Sequence, residues 1–186
     1  MVKIVLHYAS EADIPHVLEV EKAMAKIAGG DLKKYEIDVV RRCASAHKTP
    51  EYLSKIANED PGTVVVRGVI LGRQPALGPA LDAQCDELVI TYLTDGKDNP
   101  GQVYSSLNVP SGVGCVTAPP WPEATALALL KTAAILNKDL TIKIREYQSK
   151  NAEKIRGTDE TYKDLTTEEL GKILDEKKKN DENKKK

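Results

Sequence analysis

Residues 43–50 read Cys-Ala-Ser-Ala-His-Lys-Thr-Pro, which sets a hydroxyl (Ser45), an imidazole (His47) and an ammonium (Lys48) side by side. Such a set suits moving a proton beside an anion: a general base must be a neutral imidazole, and an adjacent cation favours that form. A single histidine is otherwise an ordinary structural residue, so the reading depends on this segment being a loop at a ligand-binding edge. A second group, Ala9-Ser10-Glu11-Ala12-Asp13, has the small residues that let backbone N–H groups at a helix N-terminus approach a phosphate. Asp13 there either caps the helix or accepts a sugar hydroxyl. A third, Gly72-Arg73-Gln74-Pro75-Ala76-Leu77-Gly78-Pro79, offers Arg73 as a forked donor to phosphate or carboxylate, or as a solvated surface arginine. No GxGxxG or Walker-type loop supports a dinucleotide or nucleoside triphosphate. The three His and three Cys show none of the short spacings of zinc sites, so neither a metal nor another cofactor is expected.

These segments need a scaffold, and the apolar pattern supplies one. Val2–Leu6 (VKIVL) reads as a buried strand, followed by Tyr35–Val40 (YEIDVV), Thr63–Ile70 (TVVVRGVI) and Glu87–Tyr92 (ELVITY). A helix over Ile14–Ala28 has Val17, Val20, Met24 and Ile27 at helical spacing, with Gly29-Gly30 closing it. Another begins at Pro50 with Thr49 as its N-cap, and Gly72 to Pro79 reads as a loop. From Pro122 the chain is helical over two helices' length with Asn137 as the junction. Thr166-Thr167-Glu168-Glu169 then opens one more short helix through a capping box. This alternation implies an α/β fold built on an open, mostly parallel sheet. Ligands of such sheets bind outside the carboxyl ends of the strands. The loops after the first three strands are therefore the ones that matter, and they are the three groups above.

Composition removes several function classes. With 27 Lys and Arg against 28 Asp and Glu, the net charge of −1 gives no bulk attraction to nucleic acid or a membrane surface. No apolar run approaches the roughly 20 residues that span a bilayer, and no signal peptide is readable. A length of 186 residues fits one domain with a real core. There is no Phe and one Trp, so Val, Ile, Leu and Ala must fill that core, as suits a parallel sheet buried on both faces. Cys43, Cys85 and Cys115, odd in number and far apart, point to a reduced, cytoplasmic setting. The last ten residues hold six Lys and read as a solvated, disordered tail.

Taken together, SAHKTP, GRQPALGP behind a buried strand, and the segment Ser105-Ser106-Leu107-Asn108-Val109-Pro110-Ser111-Gly112-Val113-Gly114-Cys115 resemble the PurE family. Within it they resemble the class II aminoimidazole ribonucleotide (AIR) carboxylases, which carry SAHK where class I mutases carry SAHR. The resemblance covers Val2 to Ile155. It implies a flavodoxin-like three-layer α/β/α parallel sheet with long C-terminal helices, and a homo-octamer whose active sites are shared between subunits. It also implies reversible carboxylation of a small-molecule nucleotide, AIR, at C4 with CO2 in purine synthesis, without ATP, biotin or metal.

On this resemblance His47 is the acid–base group for the C4 proton, and Lys48 and Ser45 line the carboxylate end. Residues 9–16 (ASEADIPH) match the phosphate loop, so Ser10 meets the phosphate and Asp13 the ribose. Gly72, Arg73 and Gln74 form the third wall, Arg73 reaching the phosphate, and the Ser111-Gly112 turn closes the pocket. The domain so defined is 1–156, with 157–186 a helical extension and Lys-rich tail. The pattern is not kept throughout. Ala9 replaces a Gly and Ala12 a Ser of the phosphate loop, Gln74-Pro75 stands where class II has Ser-Asn, and His7 and Tyr8 have no counterpart. One lost hydrogen bond to a charged group is worth roughly 1.5–3 kcal/mol. These departures leave open a paralogue acting on another nucleotide, and a non-catalytic nucleotide-binding oligomer.

Overall fold

The first apolar run forms β1 (Val2–Tyr8), which reaches past the expected Leu6 because His7 and Tyr8 continue the ladders to β2 (Ile37–Cys43) and β3 (Val64–Leu71). The computed structural model describes residues 1–59, 63–72 and 76–183. β4 (Val89–Leu93) pairs with β3, and the two-residue β5 (Val116–Thr117) with β4. Every pairing is parallel and the order is β2-β1-β3-β4-β5. This is the flavodoxin-like doubly wound order, in which the chain turns to opposite sides of β1 on leaving it and on returning as β3.

α1 (Ile14–Ala28) has the bounds its spacing predicts, and Gly29 ends it in the left-handed conformation (φ 70°) that costs glycine nothing. α2 (Pro50–Ala57) and α5 (Pro122–Ala133) both start with proline, where the missing N–H is no loss. α6 (Lys138–Tyr162) begins at the expected junction: Asn137 Oδ1 accepts from Leu140 N (3.0 Å), while its Nδ2 donates to Tyr35 O (3.1 Å).

Three local expectations are corrected. Tyr35 belongs to a 3-10 turn, not to β2; its hydroxyl donates to Ala28 O (2.8 Å), and Glu36 takes a left-handed conformation before the strand starts. Thr49 makes no side-chain cap on α2, because its hydroxyl turns back to Ser45. The segment 72–79 is not all loop: α3 (Leu77–Asp82) starts inside it. Gly78 fits there because a Cβ would come within 2.2 Å of Thr91 Oγ1. α4 (Gly101–Leu107) and β5 carry no apolar periodicity strong enough to announce them.

The chain divides into two units, Met1–Arg145 and Glu146–Lys186. In the first, α1 and α5 pack together on one face of the sheet. On the other face α2 and α3 close over Val69, Leu71, Val89 and Leu93 through Leu53, Ile56, Leu77 and Leu81. The result is the three-layer α/β/α arrangement. In the second unit, α7 (Thr167–Asn183) is 17 residues long rather than the short helix expected, and it continues into the Lys-rich stretch. It opens on the expected capping box: Thr166 N and Oγ1 donate to Glu169 Oε2 (both 2.8 Å), and Glu169 N returns to Thr166 Oγ1 (3.4 Å). Among the described residues no helix is long and apolar enough to cross a membrane.

One charged group interrupts the aliphatic face under α2. Arg67, 2% exposed in the middle of β3, donates from Nη2 to Ala57 O (2.7 Å) and from Nε to Glu87 Oε2 (3.0 Å); Nη1 lies 3.4 Å from both Ile56 O and His7 Nε2. Burial, then the charge of Arg67, then that of Arg42 push the fully enclosed His7 down to about 3. The folded protein therefore keeps His7 neutral while the unfolded chain takes up a proton below about 6.5. Folding stability that is complete above pH 6.5 is thus lost as the pH falls towards 3. In urea titrations, His7→Gln should remove up to about 1.4 kcal/mol per pH unit of the wild-type slope across that window.

Candidate active site

The loops following β1, β2, β3 and β4 leave the same edge of the sheet and enclose a cleft of about 660 Å³. That size is usual for a small-molecule site, and its place is the switch point between β1 and β3, where such sheets bind ligands. Ser10, Asp13, Ser45, His47, Lys48 and Gly72 all line it.

The first wall is built around Asp13. Its Oδ2 accepts from Ala9 N (3.2 Å), Ser10 N (2.9 Å) and Ser10 Oγ (3.0 Å), so the carboxylate is buried beneath the loop that it shapes. All three bonds fall on Oδ2. His16, 3.4 Å from Glu19 through Nδ1, completes this wall; it lies inside the loop motif but was not singled out.

The second wall is the turn between β2 and α2. Ser45 Oγ accepts from the N–H groups of His47 (3.4 Å) and Lys48 (3.2 Å), and Ser45 N donates to Thr49 Oγ1 (2.9 Å). Thr49 N and Oγ1 both reach back to Ser45 O. The turn is locked by its own polar groups while the His47 and Lys48 side chains stand exposed at the cleft. An imidazole and an ammonium placed so can exchange a proton with a bound molecule and hold its anionic end.

Gly72 follows β3 at the third wall. A Cβ there would lie 3.2 Å from Thr94 Oγ1 and 3.5 Å from Asp95 Oδ1, so glycine admits the fourth loop to the cleft. Thr94 and Asp95 are lining residues that the sequence reading missed. The rule that ligands sit at strand carboxyl ends, applied to the fourth strand as well as the first three, would have found them. Arg73 and Gln74 lie outside the described residues. Ser111 and Gly112 form an exposed turn, with Gly112 at φ 92°, that does not line the cleft of its own chain; Gly114 N ties this turn to Asp82 Oδ2 (2.6 Å) at the end of α3.

The three cysteines are unpaired. Burial is the first cause pushing each thiol up, Cys85 to about 11, which disfavours thiolate chemistry. Among the described residues no three His, Cys, Asp or Glu side chains gather as a metal-binding set.

A family profile described as AIR carboxylase matches residues 3–154. The chain is similar to the phosphoribosylaminoimidazole carboxylase of Archaeoglobus fulgidus, 32% identical over 137 residues that cover 73% of this chain and 76% of that one. It is also similar to the N5-carboxyaminoimidazole ribonucleotide mutase of Methanocaldococcus jannaschii, 27% identical over 149 residues, 79% of this chain and 94% of the relative. Among solved structures, Treponema denticola PurE superposes with a TM-score of 0.74 at 23% identity, over 88% of this chain and 99% of that one, a likeness of fold.

The arrangement around Asp13 makes a direct prediction. Asp13→Ala leaves the Ala9 and Ser10 N–H groups without their acceptor and should destabilise the fold by about 2 kcal/mol. The midpoint of urea unfolding measures this, and an unchanged midpoint would mean that the carboxylate does not hold the loop.

Proposed function

The chain belongs to the AIR carboxylase family, and from that premise we propose that it joins CO2 to C4 of 5-aminoimidazole ribonucleotide, giving the carboxyaminoimidazole ribonucleotide of purine biosynthesis. The observation that carries the reading is the meeting of the His47-Lys48 turn with the Asp13 loop in one cleft at the sheet's switch point. The ring amino group of AIR raises electron density at C4, whose π pair forms the bond to CO2. The C4 proton then passes to the His47 imidazole, and the ring regains its aromatic electrons. In the reverse direction His47 returns that proton as CO2 leaves. With CO2 itself as electrophile the step needs neither ATP nor biotin.

Lys48 and the Ser45 hydroxyl serve the new carboxylate. Ser10 takes the phosphate and Asp13 a ribose hydroxyl, with Gly72 on the third wall. Lys48 in the place where mutases carry arginine favours the carboxylase over the mutase reaction. The enzyme acts in the cytoplasm, where unpaired cysteines stay reduced, with residues 1–156 as its catalytic domain and 157–186 as an extension. It assembles as an octamer, for which the exposed Ile135, Leu136 and Ile142 offer apolar contact surface. Each Ser111-Gly112 turn then closes a neighbour's cleft.

Purified protein incubated with AIR and labelled bicarbonate, without ATP, should place label in the carboxylated nucleotide. His47→Ala should fold normally and lose at least the 10²-fold typical of an acid–base group. Nucleotide binding without incorporation by the wild type would favour another substrate or a non-catalytic role. Light scattering should give eight times the 20.3 kDa chain mass; a monomer would remove the shared site.

A further inference from the structure

The Arg67 cluster lies outside the cleft, yet it is joined to the acid–base turn by a short rigid path. α2 is eight residues long, about 12 Å at 1.5 Å per residue. At its C-terminal end the guanidinium of Arg67 reaches Ala57 O at 2.7 Å and Ile56 O at 3.4 Å, the carbonyls that a helix leaves without partners of its own. Arg67 is itself held by Glu87, just before β4, and by His7 on β1. At the N-terminal end no side chain caps the helix. Leu53 N bonds Thr49 O, and Thr49 N bonds Ser45 O, so the first turn of α2 continues into the turn that carries His47.

We propose that Arg67 is a positioning residue for the acid–base turn: its buried guanidinium fixes where α2 lies along the sheet, and α2 carries His47 to its working place in the cleft. This rests on the reading of His47 as the acid–base group. The apolar contacts of α2 come from Leu53, Ile56 and Ala57 on one face, and such contacts allow a helix to slide. Directed hydrogen bonds from a planar fork do not. The Asp13 loop follows β1 directly and does not depend on α2 for its shape. Displacing α2 should therefore damage turnover and spare nucleotide affinity. A misplacement of about 1 Å can cost a reaction up to about 10²-fold.

Two variants test this. Arg67→Lys keeps the charge but cannot reach Ala57 O, Glu87 and His7 at once. Arg67→Met with Glu87→Gln removes both charges, a replacement that buried pairs commonly tolerate. In either, kcat should fall about tenfold or more while KM for AIR stays within about twofold. A second readout is independent of turnover. The chain has three histidines, so their ring protons can be assigned by NMR with His16→Asn and His47→Asn. The His47 resonance should move in both Arg67 variants while that of His16 stays.

Wild-type kcat in a folded variant, or KM rising as kcat falls, overturns the proposal. So does failure of both variants to fold, which would make Arg67 a residue of stability. If the wild type does not carboxylate AIR, the proposed function fails, and the His47 resonance alone decides: unmoved in a folded variant, it overturns the positioning role.

Discussion

A parallel sheet in the order β2-β1-β3-β4-β5 sends consecutive connections to opposite sides of β1, and everything functional in this protein follows from that constraint. Right-handed crossovers put α1 and α2 on opposite faces, so the loops after β1 and β3 part and leave a crevice. Because all pairings are parallel, the loops after β2 and β4 open at the same edge. Four stretches far apart in sequence thereby share one cleft, with the Asp13 loop, the His47 turn, Gly72 and Asp95 each on its own wall. The inner strands β3 and β4 and the middle of β1 are buried on both faces, which is why aliphatic residues dominate them and why Arg67 and His7 stand out.

Within the cleft, polar side chains hold loops as well as facing ligand. Asp13 gathers the N–H groups of Ala9 and Ser10. Ser45 does the same for His47 and Lys48, and Thr49 is drawn from its capping position to brace Ser45. Loops held this way need little ordering when a nucleotide arrives, and preorganised groups contribute most where charge develops. The same economy explains Ala9 and Ala12. With Asp13 shaping the loop from below, the small, exposed side chains of Ala9 and Ala12 keep the backbone accessible without loss of the loop.

The sequence made much of this legible, for reasons that differ by element. α1 was readable to the residue because an amphipathic stripe ends on a glycine that the left-handed cap requires. The strands were readable as β-branched apolar runs, but their carboxyl ends were not. His7 and Tyr8 carry β1 onward by pairing with Arg42, Cys43, Val69 and Ile70, a tertiary fact absent from the local pattern. α3 was hidden because Gly78 and Pro79 speak locally for a loop, whereas Gly78 is there to clear Thr91. The His47 turn was found through its chemistry, and Asp95 was missed because an aspartate before a glycine looks like an ordinary turn. Arg67 lay unremarked inside TVVVRGVI, although a lone arginine in a buried run must have partners, and His7 was the unassigned residue that supplies one of them.

Stability is a poor explanation for that cluster. Taking a charge out of water costs several kcal/mol per ion, and apolar residues of similar volume commonly do as well or better. Here the arrangement is costlier still. A guanidinium has only donors, so His7 Nε2 must be the acceptor and the proton sits on Nδ1, a buried group with no hydrogen-bond partner among the described residues. Leucine and valine in these places would close the same volume without an orphan donor. What they would lack is direction. Aliphatic contact is satisfied by many positions of α2 along its groove, whereas a fork bonded at 2.7 Å to Ala57 O and at 3.0 Å to Glu87 is satisfied by one. An eight-residue helix gripped by polar groups at its far end, and merging at its near end into the turn that bears His47, is built for placement of that imidazole rather than for the depth of the folded well.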